Sequence, residues 1–174
     1  MTGDFMRLNF RIVLQPLTFF MMLSKTQRLE GVTSLILNDT EKRHYIFFDL
    51  ENSDLKQIEE TLTEVQRKYG LSNIYIVSDF EGSYRGWCFS KVSFKTFLNI
   101  LVDSLGILDY SFFYYTVKRR KATLRISNKK GRPEQKVVSV LESYPVTFPS
   151  SFIENVVYDT GLQKRGLAVL LGSE

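Results

Sequence analysis

The chain has 174 residues, 44% of them hydrophobic, with fourteen Phe, nine Tyr and four Pro, a composition that fits one folded domain with a real core and excludes a disordered tail. Its single cysteine, Cys88, excludes an intramolecular disulfide and a cysteine-rich zinc site, and its single histidine, His44, excludes a two-histidine metal site, so a reduced cytoplasmic setting is expected and any metal would be held by carboxylates. The net charge of +4 is uneven, because Lys118 to Lys136 holds nine basic residues against one acid, Glu134, which suits either a local polyanion site or a solvated hairpin loop.

In chain order, Phe5 to Leu14 has the pattern of a strand. The apolar run from Ile12 to Leu23 is broken by Gln15 and Pro16 and falls short of the roughly 20 residues a membrane helix needs. Arg7 and Arg11 precede it, but no small-residue cleavage site follows, so a core strand and turn is a better reading than a signal peptide. Gly31 to Leu37 suggests another strand, with a turn at Asn38-Asp39. Tyr45 to Leu50 is a nearly continuous apolar run, as expected of a central strand buried on both faces.

Asn52 or Ser53 can cap a helix through Tyr69, in which Leu55, Ile58, Leu62, Val65 and Tyr69 follow three- and four-residue steps and Gly70 supplies a stop. Asn73 to Ser78 is a second apolar strand, so the segment predicts a βαβ unit with a parallel pair. A glycine-bearing loop, Asp79 to Gly86, leads into an antiparallel return at Trp87 to Ser90. Phe94, Phe97, Leu98, Leu101 and Leu105 predict a second amphipathic helix between Ser93 and Gly106. Tyr110 to Lys118, Ala122 to Ser127 and Lys136 to Leu141 are rich in β-branched and aromatic residues and predict strands linked by basic turns. After Pro145 and Pro149, a short helix around Phe152 to Tyr158 and an apolar Leu167 to Leu171 complete the chain. The sum is an α+β fold, a mixed sheet with helices on one face, in one domain over residues 1–174 whose tail from 145 onward is an extension.

Asp49 and Glu51 stand two apart at the end of the buried strand, so their side chains emerge on one face roughly 6–7 Å apart along the chain. Such a pair can share a hard divalent cation, or it can be two solvated acids, one of them favouring the positive end of the following helix. The order of Asp49-Leu50-Glu51 after an apolar strand, then Ser83-Tyr84-Arg85-Gly86-Trp87-Cys88-Phe89, then Asp109 ahead of Ala122-Thr123-Leu124-Arg125-Ile126-Ser127 and a basic run, resembles the archaeo-eukaryotic primase superfamily over residues 44–142.

That resemblance implies an RRM-like sheet with two or more helices on one face, and a metal-dependent nucleotidyltransferase of the primase or primase-polymerase type acting in DNA replication, in keeping with a mobile element. It implies Mg2+ or Mn2+ at Asp49, Glu51 and Asp109, and triphosphate contacts from Arg85, Arg125 and Lys129. Nucleoside triphosphates, a single-stranded DNA or RNA template tracked by Lys118, Arg119, Arg120 and Lys121, and a helicase are the partners it suggests, with no membrane. Cys88 occupies the position where the family pattern has a nucleotide-contacting histidine, and a thiol cannot replace a histidine's charge-assisted contact. Either Arg85 takes that role, or catalysis is weakened or absent. Cys88 by its own chemistry is a small buried strand residue rather than a nucleophile.

Rings beside cations suit single-strand binding. Phe112, Phe113, Tyr114 and Tyr115 adjoin the basic run, and Tyr84 and Trp87 could stack on a base or merely cover the sheet. A non-catalytic single-stranded nucleic-acid-binding module on the same sheet is therefore the alternative. A third reading takes Glu134-Gln135-Lys136 with Asp109 as the acid and E-x-K pair of a Mg2+-dependent restriction-endonuclease-like nuclease.

Overall fold

The segment His44–Glu51 is the centre of the main sheet, and Tyr45, Ile46, Phe47, Phe48 and Leu50 within it are wholly buried, so side chains on both faces of the strand are packed. The computed structural model describes residues 8–14, 17–23, 28–51, 53–80, 82–126, 133–147 and 153–159. The elements in chain order are β1 (Leu8–Leu14), β2 (Leu17–Leu23), β3 (Arg28–Ile36), β4 (His44–Glu51), α1 (Leu55–Tyr69), β5 (Ile74–Phe80), β6 (Ser83–Val92), α2 (Phe94–Asp103), α3 (Tyr110–Arg119), β7 (Thr123–Arg125), β8 (Lys136–Leu141) and β9 (Ile153–Asp159). The chain divides into two compact units, Gly31–Asn155 and a second formed by Met1–Glu30 with Val156–Glu174.

In the second unit β1 and β2 pair antiparallel from Leu8↔Leu23 to Leu14↔Leu17, with a strand where Phe5 to Leu14 predicts one and the predicted turn at Gln15-Pro16 outside the described residues. The main sheet is open, with the order β7-β3-β4-β6-β5-β8, and β9 pairs with β3 outside that path. Its described pairings are antiparallel, so the fold is α+β, a six-strand antiparallel sheet with three helices.

Three expectations change. The predicted parallel pair is absent, because β6 lies between β4 and β5 and pairs antiparallel with both. The cause is a tight return at Gly82, whose φ of 81° suits glycine. It brings Ser83 opposite Phe80, so β6 takes the place next to β5 that β4 would have filled. The ring-rich Tyr110 to Lys118 is helical rather than a strand: Asp109 caps it by accepting from Ser111 N at 2.7 Å, and Phe112 and Thr116, four apart, are its buried side chains. Ile153–Asp159 is a strand where a short helix was expected, while Leu167 to Leu171 lies outside the described residues.

Helix α1 is capped one position later than expected, by Asp54, whose carboxylate accepts from Gln57 N at 2.7 Å. Gly70 closes it in the left-handed region at φ 60°. Its inner face buries Ile58, Leu62 and Val65, each contributing about 1.5–3 kcal/mol relative to exposure. Gln66 on the same face donates its amide to Ser72 O at 3.0 Å and Leu141 O at 2.9 Å, tying the helix to β8. Asp103 at the end of α2 accepts from Lys68 Nζ at 2.7 Å and Tyr69 OH at 2.6 Å, and these two bonds hold its carboxyl below the usual range. Helix α2 starts at the expected cap, Ser93, but ends at Ser104 instead of Gly106, where the Ser104 hydroxyl donates to Ile100 O at 2.9 Å.

His44 is buried on the helix side, its ring 5.3 Å from Phe94 and 6.0 Å from Phe97. Its Nδ1 lies 2.9 Å from Ser34 Oγ, which also accepts from Ala122 N at 3.0 Å. Burial pushes the imidazole down to about 4. Across the same strand, Gly86 pairs with Phe48, and a Cβ on Gly86 would stand 2.8 Å from Phe48 Cδ2 and 3.3 Å from Phe48 Cβ. The Phe48 ring is wholly buried and has nowhere to yield.

Gly86→Ala is therefore expected to lower stability by about 1–3 kcal/mol through overpacking, read from the urea midpoint. Phe48→Leu in the same chain should recover part of the loss. For His44 the unfolded ring titrates near 6.5 and the folded one near 4, so its contribution to stability is complete above about pH 6.5 and is lost as pH falls toward about 4. His44→Gln should flatten that part of the urea-stability profile; an unchanged profile would remove His44 as its cause.

Candidate nucleic-acid interface

Strand alternation sends Tyr45, Phe47, Asp49 and Glu51 of β4 to one face and Ile46, Phe48 and Leu50 to the other. The second face is the one α1 and α2 cover, as the contacts of His44 with α2 and of Ser139, opposite Ile76, with Glu59 of α1 show. Functional groups on the first face are those of Asp49 and its neighbours on β6, β5 and β8.

The backbone brings the three acids of the motif order to one corner. Leu108 forms an antiparallel bridge with Leu50, Asp109 N donates to Asp49 O at 2.8 Å, and Glu51 N donates to Ile107 O at 3.2 Å. Two of the three side chains have structural partners. Asp49 faces Arg85 across the strand pair, with Oδ1 3.8 Å from Nε, and Asp109 caps α3. Glu51 is exposed. Among the described residues no group of three His, Cys, Asp or Glu side chains is arranged to hold a metal ion.

The other site residues are dispersed. Arg85 is 5% exposed, its guanidinium drawn into the sheet rather than offered to solvent. Cys88 alternates to the helix-covered face and is wholly buried, its Sγ 3.7 Å from Ser72 O, so it stands on the opposite side of β6 from Asp49. Tyr84 pairs with Leu50 on that same helix side, apart from Trp87. Arg125 is half-buried on β7 opposite Gly31, and Lys129 lies outside the described residues. The nuclease constellation is not assembled: Lys136, Ser78, Tyr84, Leu50 and Leu108 occupy one row across the sheet, so Lys136 and the Leu108–Asp109 corner are four strand spacings apart, roughly 19 Å.

The first face carries instead a row of rings. Phe47 and Trp87 lie 4.8 Å apart, Tyr45 and Phe89 5.6 Å, and Phe89 and Tyr75 6.1 Å between centroids. Tyr45 and Phe47 on the central strand are wholly buried, whereas Trp87, Phe89 and Tyr75 farther out are half-buried. With Val77 and Gln135 these three line an open groove of ≈ 390 Å³. Val137 and Val140 of β8, opposite Val77 and Tyr75, continue the apolar surface at 57% and 40% exposure. Tyr75 and Phe89 were missed in the sequence, although Tyr75/Val77 and Trp87/Phe89 are both two-residue alternations that mark one strand face.

The basic run is split among elements. Lys118 and Arg119 end α3, and Arg120 is its left-handed cap at φ 55°. Lys118 sits 6.0 Å from the Tyr114 ring and Arg119 4.9 Å from that of Tyr115. Arg120 is 5.8 Å from Phe94, which packs on His44, so the basic helix end lies at the beginning of β4. Tyr110 and Tyr114 of α3 are 74% and 45% exposed. No helix among the described residues is long and apolar enough to cross a membrane.

Comparison with protein-family models, curated proteins and solved structures finds no match for this chain.

If Asp49 serves chiefly to balance buried Arg85, Asp49→Ala should lower stability by about 1–3 kcal/mol, the cost of leaving a charged group short of a partner, discounted for the carboxylate's partial exposure. Glu51→Ala should stay within about 0.5 kcal/mol. Equal urea midpoints for the two variants would refute the structural role of Asp49.

Proposed function

We propose that the chain is a single-stranded nucleic-acid-binding module built on an RRM-like sheet. The order β4-α1-β5-β6-α2, followed by the Leu108 bridge, sets Leu108, β4, β6 and β5 side by side. This is like an RRM, whose open sheet face stacks bases on aromatic side chains. The observation that carries the reading is the half-buried row Tyr75, Trp87 and Phe89 on the face away from the helices. Lys118, Arg119 and Arg120, exposed at the end of α3, supply backbone contacts. In a replication setting of the kind the primase resemblance suggests, such a module would hold template.

A second reading, the primase-type nucleotidyltransferase, draws on the backbone adjacency of Asp49 and Asp109. It requires Asp49 to leave Arg85 and Asp109 to leave its cap. Incorporation of labelled nucleotides on single-stranded template with Mg2+ or Mn2+, lost on Asp49→Ala/Glu51→Ala, would favour it.

Binding is tested by anisotropy of labelled single-stranded DNA and RNA oligonucleotides. Tyr75→Ala and Trp87→Ala are each expected to weaken binding by about 1–3 kcal/mol, the range for one base–ring stack. Removing Lys118 and Arg119 together should lower the slope of log K against log salt by about 1.4, at roughly 0.7 per phosphate contact on a single strand. Absence of binding to both DNA and RNA at low salt would sink the proposal.

A further inference from the structure

We infer that two copies of this chain pair edge to edge through β8, antiparallel about a twofold axis near Ser139, so that the main sheet of one copy continues into that of the other. The inference concerns the edge of the sheet and does not depend on the binding-module reading. Strand β8 is the last of the path β7-β3-β4-β6-β5-β8 and, among the described residues, pairs with β5 alone. Antiparallel pairing on one side engages the backbone groups of alternate residues and turns the others outward. An outward row of N–H and C=O groups is a template for a further strand.

Edges of this kind are ordinarily guarded by charge, by proline or by brevity. The other end of the path follows that rule: β7 is 3 residues long, ends on Arg125 and follows Lys121 by two positions. Strand β8 is 6 residues long, and its run Val137-Val138-Ser139-Val140-Leu141 holds neither charge nor proline. Val137, Val138 and Val140 are 57%, 44% and 40% exposed. Single exposed apolar side chains are ordinary, but these three are clustered on one edge strand, which is the mark of a contact surface.

The pattern of β8 selects a second copy as the occupant. Around Ser139 the run is close to symmetric, with Val138 and Val140 on either side, Val137 and Leu141 beyond them, and the exposed, oppositely charged Lys136 and Glu142 at the two ends. A twofold antiparallel pair sets the start of each strand against the end of the other, so Lys136 of each copy comes beside Glu142 of the second copy rather than beside its own equivalent. The ladder with β5 is irregular here, Ile76 pairing with Ser139 and Val77 with Val137, which makes Val138 the extra residue of a bulge. In the dimer Val137 and Val138 of one copy then stand opposite Val140 of the other. A contact built on the 6 residues of β8 is small beside the roughly 20–30 residues a side of a standard interface, so the dimer is a weak and reversible one.

Sedimentation equilibrium of the full chain, without nucleic acid, tests this over about 10 μM to 1 mM, the range in which so small a contact would act. The wild type is expected to show a reversible monomer–dimer equilibrium, and amide hydrogen exchange in β8 should slow as the concentration rises. Val138→Lys, which places like charges at the contact, should raise the dissociation constant at least tenfold with an unchanged circular dichroism spectrum. Lys136→Glu and Glu142→Lys should each weaken the dimer by about threefold, within the range of a cross-strand charge pair, and the two together should restore it. A chain that stays monomeric to about 1 mM, a dimer that Val138→Lys leaves intact, or failure of the double reversal to restore what each single reversal loses would overturn the inference. None of these outcomes bears on whether the ring-bearing face binds an oligonucleotide, so the two readings fail separately.

Discussion

The main sheet depends on the burial of β4 from both sides. Tyr45 through Phe48 and Leu50 expose nothing, so a layer of side chains must close over each face before the strand's apolar surface is withdrawn from water. On the helix side α1 and α2 do this, and the absence of a side chain at Gly86 leaves room for the Phe48 ring. On the other side, rings of β6 lie against Tyr45 and Phe47 and are themselves only half covered. Beside Tyr45 and Phe47, solvent access on that face therefore begins at β6 and β5, whereas the end of β4 at Asp49 and Glu51 is itself open to solvent. The fully buried residues at the centre of the sheet are structural by position, and the apolar surface open to solvent lies farther out on β6, β5 and β8.

The same constraint explains the fate of the charged pair. Asp49 is the one acid within the buried stretch of β4, and Arg85 is its direct neighbour on β6. A charge brought this far into a sheet must be balanced locally, since the cost of desolvating it exceeds what an exposed pair would return. Arg85 at 6% side-chain exposure and Asp49 at 34% meet that requirement by facing each other, with the carboxylate on the wetter side. An acid so engaged has a structural role in balancing Arg85. Asp109 is in a similar position, because its carboxylate accepts the otherwise unpaired Ser111 N–H at the start of α3, a cap worth about 0.5–2 kcal/mol.

Much of this architecture was legible in the chain. The apolar run at Tyr45–Leu50 gave the central strand, and the three- and four-residue steps of α1 and α2 gave both helices, because burial on one stripe or on two faces leaves a periodic trace. Tyr110 to Lys118 misled because its rings suit a strand by residue type, while the deciding features were the spacing of Phe112 and Thr116 and the Asp109 cap. Asp109 was read as a third metal-binding acid, and the same side chain is a helix start signal; sequence order alone does not separate those uses. Pairing across the sheet was less accessible. Nothing local to β4 or β5 states that β6 lies between them, and without that order the shared face of Tyr75, Trp87 and Phe89, or the wide separation of Lys136 from Asp109, cannot be drawn. The run of cations from Lys118 to Lys136 was visible as charge, but its division between the end of α3, β7 and the start of β8 required the helix to be known first.

The placement of rings and cations bears on the form of nucleic acid that would suit the molecule. Stacking on Tyr75, Trp87 or Phe89 requires a base whose face is free, which a duplex withholds by pairing and stacking its own bases. The groove and the basic end of α3 both reach the beginning of β4, through the contact of Phe89 with Tyr45 and of Arg120 with Phe94 beside His44, but they do so from opposite faces of the sheet. A stiff double helix, with a persistence length of roughly 150 base pairs, cannot turn around the end of a single strand to meet both. A flexible single strand can, with a base held in the groove and its phosphates passing toward Arg120. Under the proposed binding function, the geometry of one buried strand would link the groove to the basic end of α3 and would favour the flexible polymer over the rigid one.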